Sequence, residues 1–287
     1  MKRREIRALL ARRGLAPSRD RGQNFLVGDS RAEHLVELAG VEPGDGVLEV
    51  GTGLGILTRA LVARGARVTS IEVDSGLVAV LREEALLPEG VELVHADALR
   101  VDLGSLLETL GPRRRLVANL PYAISGPFLR RLLDLREWFV DWSVMLQRDV
   151  AERLLAGPGS RDYTSLSVLH QLCVEVERTW ELGPECFHPA PRVRSSFLRM
   201  RPLETAPDNA ELARVERVTR AAFGARRKTL ANALRAGGIA DFAPALRAVG
   251  VEPGVRAERL APARFVAIAR ALETPPPSAA GAQEGTS

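Results

Sequence analysis

Residues 46–55 read Gly-Val-Leu-Glu-Val-Gly-Thr-Gly-Leu-Gly. Gly46–Val50 has the character of a short buried strand. The glycines that follow permit a tight turn and a close approach of backbone to a ligand at the start of the next helix. The dinucleotide fingerprint G-x-G-x-x-G would put its third glycine at position 56, which is Ile56. Glu49 also stands where a buried apolar residue is usual. The loop therefore suits a ligand held close to backbone, and it departs from the pyrophosphate-binding pattern at one position.

Outward from this loop, strand-like and helix-like runs alternate. Further strands are expected at Arg67–Val73, Val91–His95, Leu116–Ala118 and Trp142–Leu146, with helices such as Ile56–Arg64, Leu77–Glu84 and Pro127–Leu133 between them. That alternation predicts a parallel sheet with helices on both faces. Val174–Glu181 and Ser196–Met200 follow without a comparable helix between them and are expected to form an antiparallel hairpin at one sheet edge. After Arg201-Pro202 the strand signals stop. Residues 208–273 read as helices broken at Gly237-Gly238, Gly250 and Pro253-Gly254, and 274–287 is low-complexity sequence expected to be disordered. The expected organisation is a basic N-terminal segment at 1–14, an α/β domain at 15–205, a helical domain at 206–273 and the tail.

The strand ends carry the chemistry. Twenty-one residues after Gly51, the second strand ends in Glu72-Val73-Asp74, where a carboxylate can accept both ribose hydroxyls of an adenosine ligand. The third strand ends in Asp97-Ala98, where another carboxylate could accept from an adenine amino group. The glycine loop has no Arg or Lys for phosphate. An acidic rim of this kind suits a nucleoside without pyrophosphate, and S-adenosylmethionine, cationic at sulfur, is such a ligand. Taken singly, the glycines could be a plain turn and Glu72 a solvated strand end; three consecutive strand ends argue together. The fourth strand ends in Asn119-Leu120-Pro121-Tyr122. An amide, backbone carbonyls and an aromatic ring placed together can hold the exocyclic amine of a nucleobase and stack on its plane.

Composition narrows the setting. A 46% hydrophobic chain of 287 residues builds a sizeable core, and no apolar run approaches the roughly 18 residues of a membrane span. Cys173 and Cys186 match neither a disulfide framework nor a metal pattern, which fits a reducing, cytoplasmic compartment. His34, His95, His170 and His188 are scattered, so no metal site is expected. The net charge of +4 and pI of 9.6 favour an anionic partner. Nearly every basic residue is Arg, a uniformity that genome composition also produces, so Arg clusters carry reduced weight. Residues 2–21 hold eight basic side chains, with Ile6, Leu9 and Leu10 at helical spacing. A transit peptide, a basic helix beside a nucleic-acid groove and a plain solvated helix all fit that stretch.

From Gly22 to about Leu272 the chain resembles the small-subunit ribosomal RNA adenine dimethyltransferases. The motifs are Gly22-Gln23-Asn24-Phe25-Leu26, Glu49-Val50-Gly51-Thr52-Gly53, Ile71-Glu72-Val73-Asp74, Asp97-Ala98, Asn119-Leu120-Pro121-Tyr122, Met145-Leu146-Gln147, and Phe187-His188-Pro189-Ala190-Pro191-Arg192-Val193 closed by Ser195. The resemblance implies a Rossmann-like class I methyltransferase sheet with a small C-terminal helical domain. It implies a cofactor set of Asn24, Leu26, Glu49, Gly51, Gly53, Glu72, Asp97, Ala98 and Asn119. Its catalytic set is Asn119, Leu120, Pro121, Tyr122 and Phe187, with Tyr122 and Phe187 sandwiching the target base. The run Phe223-Gly224-Ala225-Arg226-Arg227-Lys228-Thr229-Leu230 with Asn232 also matches the family, and Arg226, Arg227 and Lys228 are expected to contact RNA from a helix. One departure is Ala123, where the family commonly has Asn or Gln before Ile124-Ser125.

The implied activity is transfer of two methyl groups to each of two adjacent adenosines near the 3′ end of small-subunit ribosomal RNA. The implied partner is the small ribosomal subunit, met by a monomer. Three alternatives are carried. A macrolide-resistance enzyme acting on large-subunit RNA would usually have Ile in place of Leu120. An NAD-type oxidoreductase is disfavoured by Ile56. An RNA-binding assembly factor with secondary or lost methylation is disfavoured by intact Asn119, Tyr122 and Phe187.

Overall fold

The computed structural model describes residues 1–18 and 21–273, so the tail expected at 274–287 lies outside the described residues. The strands are β1 (Phe25–Leu26), β2 (Gly46–Val50), β3 (Arg67–Glu72), β4 (Glu92–His95), β5 (Arg114–Asn119), β6 (Asp141–Gln147), β7 (Val174–Leu182), β8 (Phe187–His188) and β9 (Ser195–Pro202). Seven form one sheet in the order β4-β3-β2-β5-β6-β9-β7. The first five run parallel, while β9 and β7 run antiparallel at one edge. Every residue of β2 is buried, as a parallel strand covered on both faces requires. The chain leaves β2 for β3 and β4 on one side and returns with β5 on the other. The crevice between β2 and β5, at their carboxyl ends, is the place where such sheets bind ligands.

The chain divides into two compact units: Met1–Glu152 with Val174–Glu204, and Arg153–Cys173 with the described residues from Thr205 on. The second crossing lies within a residue of the expected boundary at 205. Two assignments differ. Residues 1–14 are no separate segment: the helix Arg3–Arg12 buries Ile6, Leu9 and Leu10 in the cluster that holds Phe25, Leu26 and Phe187. Residues 153–173 belong with the helical unit. There the Tyr163 hydroxyl donates to the Leu260 carbonyl at 3.0 Å, and Ser165 Oγ meets Thr219 Oγ1 at 2.7 Å.

The helical unit contains Ser165–Cys173, Asn209–Gly224, Leu230–Ala236, Phe242–Ala248 and Pro262–Ala271. Breaks at Gly237-Gly238 and Gly250 fall as expected. An additional break removes Arg226, Arg227 and Lys228 from the helix on which they were expected. The helix stops at Gly224, the Lys228 N–H closes a turn on the Ala225 carbonyl at 2.8 Å, and the next helix begins after Thr229.

At the amino ends of the central strands lies a buried ion cluster. Arg115 is 4% exposed; its Nε donates to Asp45 at 2.7 Å and its Nη1 to Asp141 at 2.5 Å. Arg113 also binds Asp45 at 2.9 Å, and Arg199 binds Asp141 at 3.0 Å. Burial would raise the Asp45 pKa, yet the Glu42 N–H and the two guanidinium groups hold it below the ordinary value. The cluster ties the β2 entry to β5, β6 and β9. Removing one partner leaves buried charge uncompensated. Arg115→Ala is expected to cost about 3 kcal/mol in chemical unfolding; a loss under roughly 1 kcal/mol, the worth of an exposed pair, would contradict this role.

Candidate active site

A cavity of about 250 Å³ opens at the carboxyl ends of β2, β3, β4 and β5. Its walls come from the glycine loop (Gly51, Gly53), the β3 end (Glu72, Val73), the turn after β4 (Asp97, Ala98), residues 119–124 and the segment before β1 (Gln23, Asn24). Gly51 has φ +84°, and a Cβ there would sit 3.2 Å from Pro121 Cδ. The loop after β2 therefore meets the Asn-Leu-Pro-Tyr segment backbone to ring, and a side chain at Gly51 would crowd the proline as well as strain the backbone. Gly22, at φ +63°, is likewise pressed on the Tyr122 backbone, where a Cβ would come within 3.0 Å of the Tyr122 nitrogen.

Two buried carboxylates flank the glycine loop, Glu72 on the cavity wall and Glu49 behind it. Glu72 is 5% exposed, and its oxygens accept from the N–H groups of Gly53 and Asp74, both at 2.9 Å. Burial raises its pKa against those two bonds, and the nearby Asp74 charge adds to the rise. Glu49 lies beneath the loop, 1% exposed, with one oxygen accepting from Thr58 at 2.6 Å and from Ser70 at 2.7 Å. Burial pushes its pKa up to about 7 despite both hydroxyls. Asp97 turns one oxygen onto the Leu99 N–H at 2.8 Å and keeps the other near Arg100 at 3.6 Å.

Asn119 is oriented by its neighbours. Its Nδ2 donates to the Asn24 carbonyl at 3.0 Å, while Asn24 Nδ2 donates to the Gly22 carbonyl at 3.0 Å. That donation commits the amide nitrogen to the wall and leaves Oδ1 as the acceptor side of the group. The Tyr122 hydroxyl meets Ser195 Oγ at 2.8 Å, which fixes the ring at the cavity edge. Burial raises the Tyr122 pKa, the Ser195 bond notwithstanding, so the ring stays neutral.

The cavity thus gathers Asn24, Gly51, Gly53, Glu72, Asp97, Ala98, Asn119, Leu120, Pro121 and Tyr122. Leu26 and Glu49 instead line a separate space of about 30 Å³ behind the glycine loop, which Asn119 also borders. Phe187 is not brought to the cavity. It pairs with Leu26 through β8, is 1% exposed and packs in the apolar cluster with Phe25, Met145 and Phe197. In this structure the ring lies in the core, away from the stacking position expected of it. Arg226, Arg227 and Lys228 lie in the helical unit. There the Arg226 guanidinium binds the carbonyls of Ser160 and Arg161, while Arg227 and Lys228 are exposed.

Sequence reasoning assigned no role to Gln23, Arg21 or Asp74. Asp74 joins them: one oxygen accepts from Gln23 at 2.9 Å and pairs with Arg21, and the other caps the helix Ser75–Glu83. Burial opposes ionisation of Asp74, but Gln23, the Leu77 and Gly76 N–H groups and Arg21 bring its pKa below the ordinary value. An Asp immediately before a helix was the available signal. Among the described residues, no three His, Cys, Asp or Glu side chains are grouped to hold a metal, and no helix is long and apolar enough to cross a membrane.

Two outcomes follow from this packing. Phe187→Ala is expected to destabilise the fold by about 3–5 kcal/mol, as for a deleted core ring; unchanged thermal stability would return the ring to the surface. For Glu49, the folded pKa near 7 exceeds the ordinary 4.5, so the native state binds the extra proton. Its stabilisation is complete below about pH 4.5 and is lost as pH rises through 7. Relative to Glu49→Gln, the wild type should lose on the order of 3 kcal/mol between acid and mildly alkaline pH. Parallel stability–pH curves for the two proteins would contradict the buried, protonatable carboxyl.

Comparison with known proteins agrees with this geometry. Residues 17–274 match the family described as ribosomal RNA adenine dimethylase. The chain is 40% identical to the ribosomal RNA small subunit methyltransferase A of Methylococcus capsulatus, covering 89% of this chain and 98% of that one. It is 42% identical to the protein of the same name from Anaeromyxobacter sp. (strain K), covering 93% and 97%. The fold is shared with a dimethyladenosine transferase from Plasmodium falciparum, at TM-score 0.68 and 22% identity over 85% of this chain and 95% of that one. A Rossmann-like methyltransferase sheet with a ligand crevice at its switch point, carrying these motifs over nearly its whole length, belongs to the ribosomal RNA adenine dimethylase family.

Proposed function

We propose that the protein transfers methyl groups from S-adenosylmethionine to the exocyclic amines of two adjacent adenosines near the 3′ end of small-subunit ribosomal RNA. The observation that carries this reading is the orientation of Asn119, whose amide nitrogen is held by the Asn24 carbonyl so that Oδ1 is left to accept from an amine. Relatives at 40% and 42% identity that are named for the small subunit favour that substrate over the large one.

The cavity suits the cofactor. A buried carboxylate at the β3 end, a second acid after β4 and a glycine loop without cations match a nucleoside that carries positive charge elsewhere. Glu72 would accept the ribose hydroxyls with the lone pairs left after Gly53 and Asp74. Asp97 and Ala98 would receive the adenine, and Gly51 and Gly53 would pass against the amino-acid portion. When bound, the cofactor supplies an electrophilic methyl on a cationic sulfur.

The residues' work follows from the target. An adenine amine is a weak nucleophile because its lone pair is delocalised into the ring. Acceptance of its hydrogens by Asn119 Oδ1 and the Leu120 carbonyl would rotate the amine out of conjugation and aim its lone pair at the methyl. Tyr122, held by Ser195, would stack on the base, and Pro121 packs the motif on Gly51. Much of the rate comes from such orientation. No strong base is needed before attack, since a proton can leave to water afterwards. Arg227 and Lys228 in the helical unit would meet backbone phosphates of the small subunit, with Arg226 bracing their turn. The protein would act as a monomer in the cytoplasm.

Asn119→Ala is expected to slow methyl transfer to undermethylated small subunits by orders of magnitude while cofactor affinity falls much less. Near-normal turnover would remove Asn119 from the reaction. Glu72→Ala should weaken S-adenosylmethionine binding by about 1–3 kcal/mol, the cost of unpairing a hydrogen bond to a charged group. Calorimetry showing unchanged affinity would put the ribose elsewhere.

A further inference from the structure

The described N-terminal arginines divide into two sets. Arg12 and Arg13 are spent on Glu84 at 2.7 and 2.6 Å, Arg13 also on Glu83, Arg21 on Asp74, and Arg3 on the Glu185 carbonyl at 2.8 Å. Arg4 and Arg7, on the same helix, are exposed and take part in no ion pair among the described residues. This helix lies against β8: its Arg3 reaches Glu185, the Gly28 N–H donates to the Met1 carbonyl, and the Val27 N–H donates to the Cys186 carbonyl. Beyond β8 the chain exposes Arg192, which is likewise without an ion pair among the described residues. His188, in β8, has its pKa lowered by burial and then by the charges of Arg7 and Arg3, which brings both guanidinium groups to the β8 side of the helix.

This surface is continuous with the cavity wall. His188 pairs with Phe25, the residue after Asn24, and Ser195, three residues beyond Arg192, holds the Tyr122 hydroxyl. Arg3, Arg4, Arg7 and Arg192 outnumber the exposed acids Glu5 and Glu185 on this surface, and an anionic partner relieves the repulsion among them.

We propose that Arg4, Arg7 and Arg192 form a phosphate-binding track on the α/β unit, along which the RNA strand carrying the target adenosine enters the cavity. This rests on the functional reading above. Contacts of this kind set register and orientation and do not choose the base.

The test compares the full-length wild type with the triple variant R4Q/R7Q/R192Q. Each binds a fluorescein-labelled RNA hairpin whose loop carries two adjacent adenosines, across a salt series. The variant is expected to bind more weakly, with the log–log salt slope reduced by about 2, given ~0.7 for each of three lost contacts to single-stranded RNA. Its S-adenosylmethionine affinity and thermal midpoint should match the wild type. An unchanged slope overturns the proposal and leaves the patch to an acidic protein surface. Because the slope is read without methyl transfer, a wild type inactive on small subunits defeats the functional reading. An active wild type with an unaffected variant slope defeats only the track.

Discussion

The hydrogen bond from Asn119 Nδ2 to the Asn24 carbonyl is the constraint on which the site depends. It joins the end of a central parallel strand to a segment nearly a hundred residues earlier, and it decides which face of the amide is offered to the cavity. Around it the fit is close. Gly22 packs on the Tyr122 backbone and Gly51 on the Pro121 ring. The β1–β8 ladder then joins the same segment to the chain that runs on to Ser195 at the start of β9, which returns to Tyr122. The site is thus a closed ring of short contacts rather than four residues on one loop.

Beneath that ring, two buried glutamates hold the glycine loop from two sides. Glu72 spends lone pairs on the N–H groups of Gly53 and Asp74 and so holds the glycine loop and the β3 exit at fixed spacing. Glu49 is held by Thr58 and Ser70, and Ser70 in turn meets Thr52 at 2.6 Å, which fixes the loop from below. Burying carboxylates without guanidinium partners is costly. The raised pKa of each reflects that cost, and a cationic ligand nearby would offset it. At the opposite end of the sheet the reverse solution appears: Asp45 and Asp141 are paired with Arg113, Arg115 and Arg199, and these ion pairs hold the strands together. One end is built for a ligand and the other for stability.

The parallel core was legible because its physics is local. Alternating apolar runs and glycine turns marked β2 to β6 within a residue or two, and the missing helix after 174–182 marked the edge hairpin. The strand-end residues Glu72, Asp97 and Asn119 fell where the topology places ligands. What was not legible depended on long-range pairing. β1 and β8 are two residues each, too short to show any period, yet they pair, and Phe187 lies in the core. The hydroxyls that hold Glu49 lie nine and twenty-one residues away on other elements. Residues 153–173 carry an ordinary helical pattern, and only their contacts with Thr219 and Leu260 assign them to the helical unit. Gly224, read as part of a family motif, ends its helix and places the Arg226–Lys228 cations on a turn.

The most direct measurement is incubation of the protein with labelled S-adenosylmethionine and undermethylated small ribosomal subunits, followed by mapping of the modified bases. The account predicts N6-dimethylation of two adjacent adenosines near the 3′ end of the small-subunit RNA. Label on another base or another position, or no transfer at all while the cofactor binds, would contradict it.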